Sequence, residues 1–148
     1  MNGCEGNLEL LRRLAEGGIE FVVIGGYAAV LHGSSQSTAD LDICTTMDEP
    51  NLRKIADALA DLNPRFRYQP GRHMDATTDM GRLDVHGSVP AVGGFHEIMR
   101  DAVVMDVGGR AIKVIGIEAL IRSKRASGRE KDARVADELA LLSSRGKR

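Results

Sequence analysis

The run FVVIGG at residues 21–26 constrains the fold more than any other stretch of the chain. Its apolar, largely β-branched residues are too few for a buried helix and end on a glycine pair, which predicts a buried strand closing in a tight turn at Gly25. Tyr27 to Leu31 then has room for a short helix before Gly33, and SSQSTA at 34–39 has the small polar composition of a loop. From Asp40 to Thr45 acid and apolar residues alternate. Leu41 and Ile43 point one way while Asp40, Asp42 and Cys44 point the other, which predicts a second strand.

The remaining elements read less uniformly. Leu8, Leu11 and Leu14 recur at helical spacing and stop at Gly17 and Gly18, predicting a helix over 7–16. Leu52, Ile55, Ala56, Leu59 and Leu62 form a stripe that predicts a second long helix over 49–62, ended by Asn63 and Pro64. The stretch from Phe66 onward is irregular until about residue 80, where MGRLDVH alternates again, with Leu83 and Val85 opposite Arg82, Asp84 and His86. Gly93 and Gly94 open a short helix to about residue 101. VVMDVGGRAIKVI reads as a hairpin turning at Gly108 and Gly109, and the chain from Ile117 to about Ser143 reads as helix interrupted near Gly128. The final SSRGKR has the look of a frayed tail.

At 148 residues with 43% hydrophobic content, one core and one domain are expected over 1–148, with a core at about 19–115 and terminal helices at about 117–143. Twenty basic and 21 acidic side chains give a net charge of −1, so any electrostatic function has to be local. Cys4 and Cys44 form neither a disulfide framework nor a metal-type pair, which fits a reducing cytoplasm. No window approaches the length of a membrane span. Aromatic residues make up 3% with no Trp, leaving few stacking platforms for a long nucleic acid.

Three features carry chemistry. Gly25 and Gly26 lack a β-carbon, so phosphate oxygens can approach their amides at a helix start. Asp40 and Asp42 lie on one strand face roughly 7 Å apart along it, close enough to share metal ions. Asp84 would complete a cage from a neighbouring strand, and two metals so held suit an in-line displacement at an α-phosphate. A glycine pair at a strand end is a plain turn in most proteins, and Asp-x-Asp is more often a solvated face. Their order and spacing together favour the functional reading. His86 shares the face of Asp84, where a hydrogen-bonded or exposed histidine is the commoner case. His32 and His73 lack zinc spacing, His96 reads as a helix-surface residue, and Cys44 shares the face of Asp42 and is placed to line the pocket. The basic run from Arg122 to Arg134 is first of all a solvated face.

VVIGGYAAVLHGSSQSTADLDI resembles the signature of the nucleotidyltransferase superfamily related to DNA polymerase β, a glycine turn followed by a D-x-D strand. Within it the chain looks most like small bacterial nucleotidyltransferases and AbiEii-type proteins of toxin–antitoxin systems, and its GG turn is similar to that of aminoglycoside and lincosamide nucleotidyltransferases. GRLDVHGSVPAVGGFHEI resembles the segment that supplies the third carboxylate. IEALIRSKRASGREKDARVADELALL resembles the final helices, with Lys124, Arg129, Lys131 and Asp132 on matching positions. The resemblance runs from about residue 19 to 142.

It implies an α/β fold of the α+β kind, a mixed sheet flanked by helices with C-terminal helices attached. It implies Asp40, Asp42 and Asp84 as catalytic metal ligands for Mg2+ or Mn2+, and Gly25, Gly26, Ser34 and Lys124 as the nucleotide-binding positions for an NTP, ATP foremost. The implied activity is transfer of an NMP to a hydroxyl on a protein, a tRNA end or a small molecule. The alternative is a non-catalytic interaction protein, one component of a toxin–antitoxin pair, with a toxin or antitoxin partner or a second copy of the chain. One departure stands out: relatives often carry Arg in the loop before the D-x-D strand, where this chain has Gln36, while Thr38 is kept.

Overall fold

A computed structural model describes residues 3–69 and 73–146. The thiol of Cys4 and the last two residues of the expected tail lie outside the described residues. Helix α1 (Gly3–Glu16) starts four residues earlier than expected and buries Leu10, Leu11 and Leu14. It ends where Gly18 takes φ +75°. Strand β1 (Val22–Ile24) is buried throughout and runs directly into α2 (Gly25–Leu31). Strand β2 (Leu41–Cys44) buries Leu41 and Ile43 and leaves Asp42 partly open, the alternation its sequence predicts.

Helix α3 (Glu49–Ala58) begins at Asp48, whose carboxylate accepts from the Asn51 amide at 3.0 Å, with Pro50 in its first turn. It is shorter than expected. Leu59 leaves helical geometry, residues 60–62 form a tighter 3-10 turn, and Asn63 at φ +50° reverses the chain. The stretch that reads as irregular contains two strands, β3 (Arg65–Gln69) and β4 (His73–Thr78). β3 shows no burial alternation because it is a sheet edge with every residue exposed.

Strand β5 (Gly81–His86) lies where its alternation predicts. A small ladder of β6 (Ser88–Val89) and β7 (Gly93–Gly94) leads into α4 (Phe95–Arg100). The expected hairpin is β8 (Val103–Val107) and β9 (Arg110–Val114), followed by α5 (Ile117–Ala126) and α6 (Glu130–Gly146) with Gly128 at φ +73° between them. Helix α6 continues through the serines that read as tail.

The main sheet has seven strands in the order β3-β4-β5-β2-β1-β9-β8. Its ladders are mixed: β2 runs parallel to β5 and β1 parallel to β9, while β1–β2, β3–β4, β4–β5 and β8–β9 are antiparallel. The mixed α/β architecture with terminal helices is the expected one. Leu41, Ile43, Met74, Ala76, Leu83 and Val85 share one buried face, which α1 helps to cover. The other face carries the polar side chains Asp42, Asp75, Asp84 and His86, and the packed pair α5–α6 stands beside it through α2. No helix among the described residues is long and apolar enough to cross a membrane.

Candidate functional site

The site begins where β1 turns into α2. Gly25 takes φ +67°, and a β-carbon there would lie 2.9 Å from Asp42 Oδ2 and 3.1 Å from Asp42 Cγ. At Gly26 a β-carbon would meet Thr38 Oγ1 at 2.9 Å and Gln36 Nε2 at 3.0 Å. A side chain at either glycine would crowd what packs on the turn, the acidic strand on one side and the 34–39 loop on the other, and Gly25 is favoured by its backbone angle as well. No side chain caps the start of α2, since Ile24 occupies the cap position.

The acids form a row across the sheet. Asp42 on β2 is in register with Asp84 on β5, which is in register with Asp75 on β4, so the three carboxylates share one face. Asp40 sits exposed just before β2. Basic groups meet this row. Arg82 Nε donates to Asp84 Oδ1 at 3.0 Å and Arg82 Nη2 lies 3.6 Å from Asp75 Oδ2. Arg67 Nε donates to Asp75 Oδ1 at 3.2 Å. His86 Nε2 lies 3.1 Å from Asp42 Oδ1, and the His86 ring stacks on His73 with centroids 5.6 Å apart. Burial pushes the Asp84 carboxyl above the usual carboxylate range; Arg82 works against this, and the charge of Asp42 adds to it.

Asp40, Asp42 and Asp84 lie near one another without closing on a single point. Among the described residues no three His, Cys, Asp or Glu side chains converge at metal-ligand range. Asp84 is turned to Arg82, and Asp42 to His86.

A cleft of about 460 Å3 opens beside these acids. Gly25, Gly26, Thr38, Asp40, Asp42 and His86 line the sheet side, and Lys124, Arg129 and Lys131 line the helical side. Asp84 and Ser34 are not on its walls. Two of these cations, Lys124 and Arg129, are held by Asp132, which is buried and lines the same wall: Lys124 Nζ lies 3.4 Å from its Oδ1, and Arg129 Nη2 lies 2.8 Å from its Oδ2. Burial raises the Asp132 carboxyl, but a hydrogen bond from Ser127 and the charges of Lys124 and Arg129 outweigh it and hold the group below the usual range. The cleft is therefore bipolar, with carboxylates on one wall and cations on the other.

Two residues sit differently from their sequence reading. The Ser34 hydroxyl donates to Glu138 Oε1 at 2.6 Å on α6. Cys44 is fully buried in the core and does not line the pocket; burial pushes its thiol up to about 11. Lys124 reaches the cleft while paired to Asp132. Sequence reasoning passed over Asp75, the pairing role of Arg82, and Glu138. Asp75 has a signal in hindsight, since HMDATT alternates polar and apolar residues. Glu138 has none, because its partners lie 103 and 104 residues away.

No protein-family model matches the chain, and no curated protein matches it. Solved structures do resemble it. The lincosamide antibiotic adenylyltransferase LnuA, with lincomycin bound, superposes over 93% of this chain and 96% of its own at 20% identity and TM-score 0.70. The antibiotic-resistance factor ANT(2'')-Ia superposes over 99% of this chain and 93% of its own, at 14% identity and TM-score 0.66. An antigenic nucleotidyltransferase-like protein from Paracoccidioides brasiliensis matches 94% of this chain and 74% of its own, at 15% identity and TM-score 0.59. The fold of this chain is that of the nucleotidyltransferases.

Proposed function

We propose that the chain transfers a nucleoside monophosphate from a nucleoside triphosphate, ATP foremost, to a hydroxyl-bearing acceptor. The observation that carries this reading is the bipolar cleft, with Asp40 and Asp42 beside a glycine turn on one wall and Lys124 and Arg129 on the other. A polyphosphate fits such a cleft because its charge meets cations on the helical wall and uncapped amides at the start of α2. The adenylyltransferase among the similar folds supports adenylate as the group moved.

The donor set fits a divalent cation. Carboxylate oxygens are the ligands that Mg2+ or Mn2+ takes, and the repulsion by which Asp42 raises Asp84 is what a bound cation relieves. Asp40, Asp42 and Asp84 would hold it once Arg82 and His86 release their contacts. Bound there, the cation would neutralise phosphate charge and acidify the acceptor hydroxyl. In the transfer the acceptor oxygen bonds to the α-phosphorus and the α–β bridging bond breaks. Pyrophosphate leaves beside Lys124 and Arg129, and the acceptor proton passes to the Asp84 carboxylate once Arg82, which turns it from the cleft, has released it. Acceptors of this chemistry include a protein hydroxyl, a tRNA end and a small molecule.

Calorimetric titration with each NTP, with and without Mg2+, tests the reading against the Asp40→Ala/Asp42→Ala double variant. Metal-dependent binding in the wild type and its loss in the variant is the expected result. Absence of binding by any NTP overturns it.

A further inference from the structure

Glu138 lies on α6, half-buried, with its carboxylate against the loop that precedes β2. Three donors converge on it. Ser34 Oγ donates to Oε1 at 2.6 Å, Ser35 Oγ to Oε2 at 2.7 Å, and the Ser35 amide to Oε2 at 3.1 Å. The same Ser34 oxygen accepts from the Gln36 amide at 3.2 Å, and Gln36 Nε2 donates to the Gly26 carbonyl at 2.9 Å. A continuous path of hydrogen bonds thus runs from the last helix through the loop to the glycine turn. The Gly33 backbone, at φ +109°, also meets α6: a β-carbon there would lie 3.4 Å from Leu142 Cδ1.

Two hydroxyls and an amide around one carboxylate also resemble a seat for a phosphate oxygen, which would make Glu138 a competitor of the nucleotide. The arrangement of the loop decides against this. Ser34 and Ser35 are not on the cleft wall, whereas Gln36, Ser37 and Thr38 are. The carboxylate holds the loop from behind and leaves its cleft-facing side open.

We infer that Glu138 is a positioning residue for the polyphosphate: from α6, through Ser34 and Gln36, it fixes the Gly26 carbonyl and the loop wall of the cleft. This rests on the nucleotide-binding reading given above. It also gives Gln36 a task, since its carboxamide holds the glycine turn in place. A carboxylate receiving three donors at these distances is a strong fixed point, because charge-assisted hydrogen bonds are about twice as strong as neutral ones.

The test uses the full chain with Glu138→Ala, Glu138→Gln, Ser34→Ala and the Ser34→Ala/Glu138→Ala double variant. Each is titrated with ATP and Mg2+ and with inorganic triphosphate and Mg2+, and its amide hydrogen exchange is recorded without ligand. In Glu138→Ala the dissociation constant for both probes is expected to rise roughly tenfold, equivalent to about 1.4 kcal/mol. Glu138→Gln keeps the shape and one acceptor and should fall between it and the wild type. Ser34→Ala should weaken binding, and the double variant should be no weaker than Glu138→Ala alone, since both act on one path. Exchange at the Gln36 amide should accelerate in Glu138→Ala.

A merely structural role would lower the melting temperature and leave the affinity of the folded protein unchanged. Wild-type affinity in a folded Glu138→Ala or Glu138→Gln overturns the inference, and so does tighter binding, which would make the carboxylate a competitor. If the wild type itself binds neither probe, the nucleotide reading fails, and the exchange at Gln36 still reports whether Glu138 fixes the loop.

Discussion

Lys124 and Asp132 meet across the joint between α5 and α6, Nζ to Oδ1 at 3.4 Å, with 12% and 7% of their side chains exposed. A pair so poorly hydrated is expensive to break from one side, because the remaining charge stays buried without its partner. Asp132→Ala is expected to cost roughly 3 kcal/mol. In a chain of this size that lowers Tm by about 9 °C. Urea denaturation measures it, and a loss below about 1 kcal/mol would mean that Lys124 swings into solvent once released.

The acids of the site pull stability in opposite directions with pH. Asp132 and Glu138 are held below the usual carboxylate range, so their contribution is present above the unfolded pKa of about 4 and is lost as pH falls through their folded values. Asp84 is raised by burial and by the charge of Asp42, so the folded state binds its proton more tightly than the unfolded chain does. Stability therefore rises as pH falls through the window just above the ordinary carboxylate range, then drops below it. Urea midpoints at a series of pH values should show this maximum on the acid side of neutrality. Asp84→Asn should remove the rise, and Asp132→Asn should flatten the acid limb.

The same raised carboxyl makes Asp84→Asn a stabilising change at neutral pH. It removes a desolvated charge repelled by Asp42, and Arg82 keeps a partner in Asp75 at 3.6 Å. A gain of about 1 kcal/mol, or roughly 3 °C in Tm, is expected together with loss of transfer. A melting scan beside an assay of pyrophosphate release checks both halves, and a variant that melts lower would place the Arg82 contact above the relief of repulsion.

Legibility in the sequence followed the number of faces each element buries. β1 could be read from its continuous buried run, and β2 and β5 because Leu41, Ile43, Leu83 and Val85 must face the core, where a slip of one residue would bury Asp42 and Asp84 in their place. β3 could not, since it is an edge strand with no buried side chain. β4 was only half legible: HMDATT alternates, but nothing in the pattern shows that Asp75 on its polar face is buried and held by Arg67 and Arg82. Polarity patterns count such a residue as exposed. Gly25, Gly26, Asp40 and Asp42 are close in sequence and meet at one turn, so local order was enough to pick them out. Ser34 was read toward the nucleotide because nothing in the sequence ties it to Glu138, 104 residues on.

Gly25 offers the most direct test of why the turn carries glycine. Its φ of +67° alone costs an alanine roughly 1–2 kcal/mol. Its β-carbon would in addition press on Asp42 at 2.9 Å. Gly109 in the β8–β9 turn isolates the first effect, with φ +84° and nothing within 4 Å of a β-carbon. Gly109→Ala should therefore cost only the backbone term, while Gly25→Ala should cost that term and about 1 kcal/mol more for the crowding. Measured in an Asp42→Gly background the excess at Gly25 should vanish, because the crowded atoms, Oδ2, Cγ and the Cβ at 3.1 Å, are gone. Equal costs for Gly25→Ala in both backgrounds would mean that the turn yields without moving Asp42, and that glycine is kept there for its backbone angle alone.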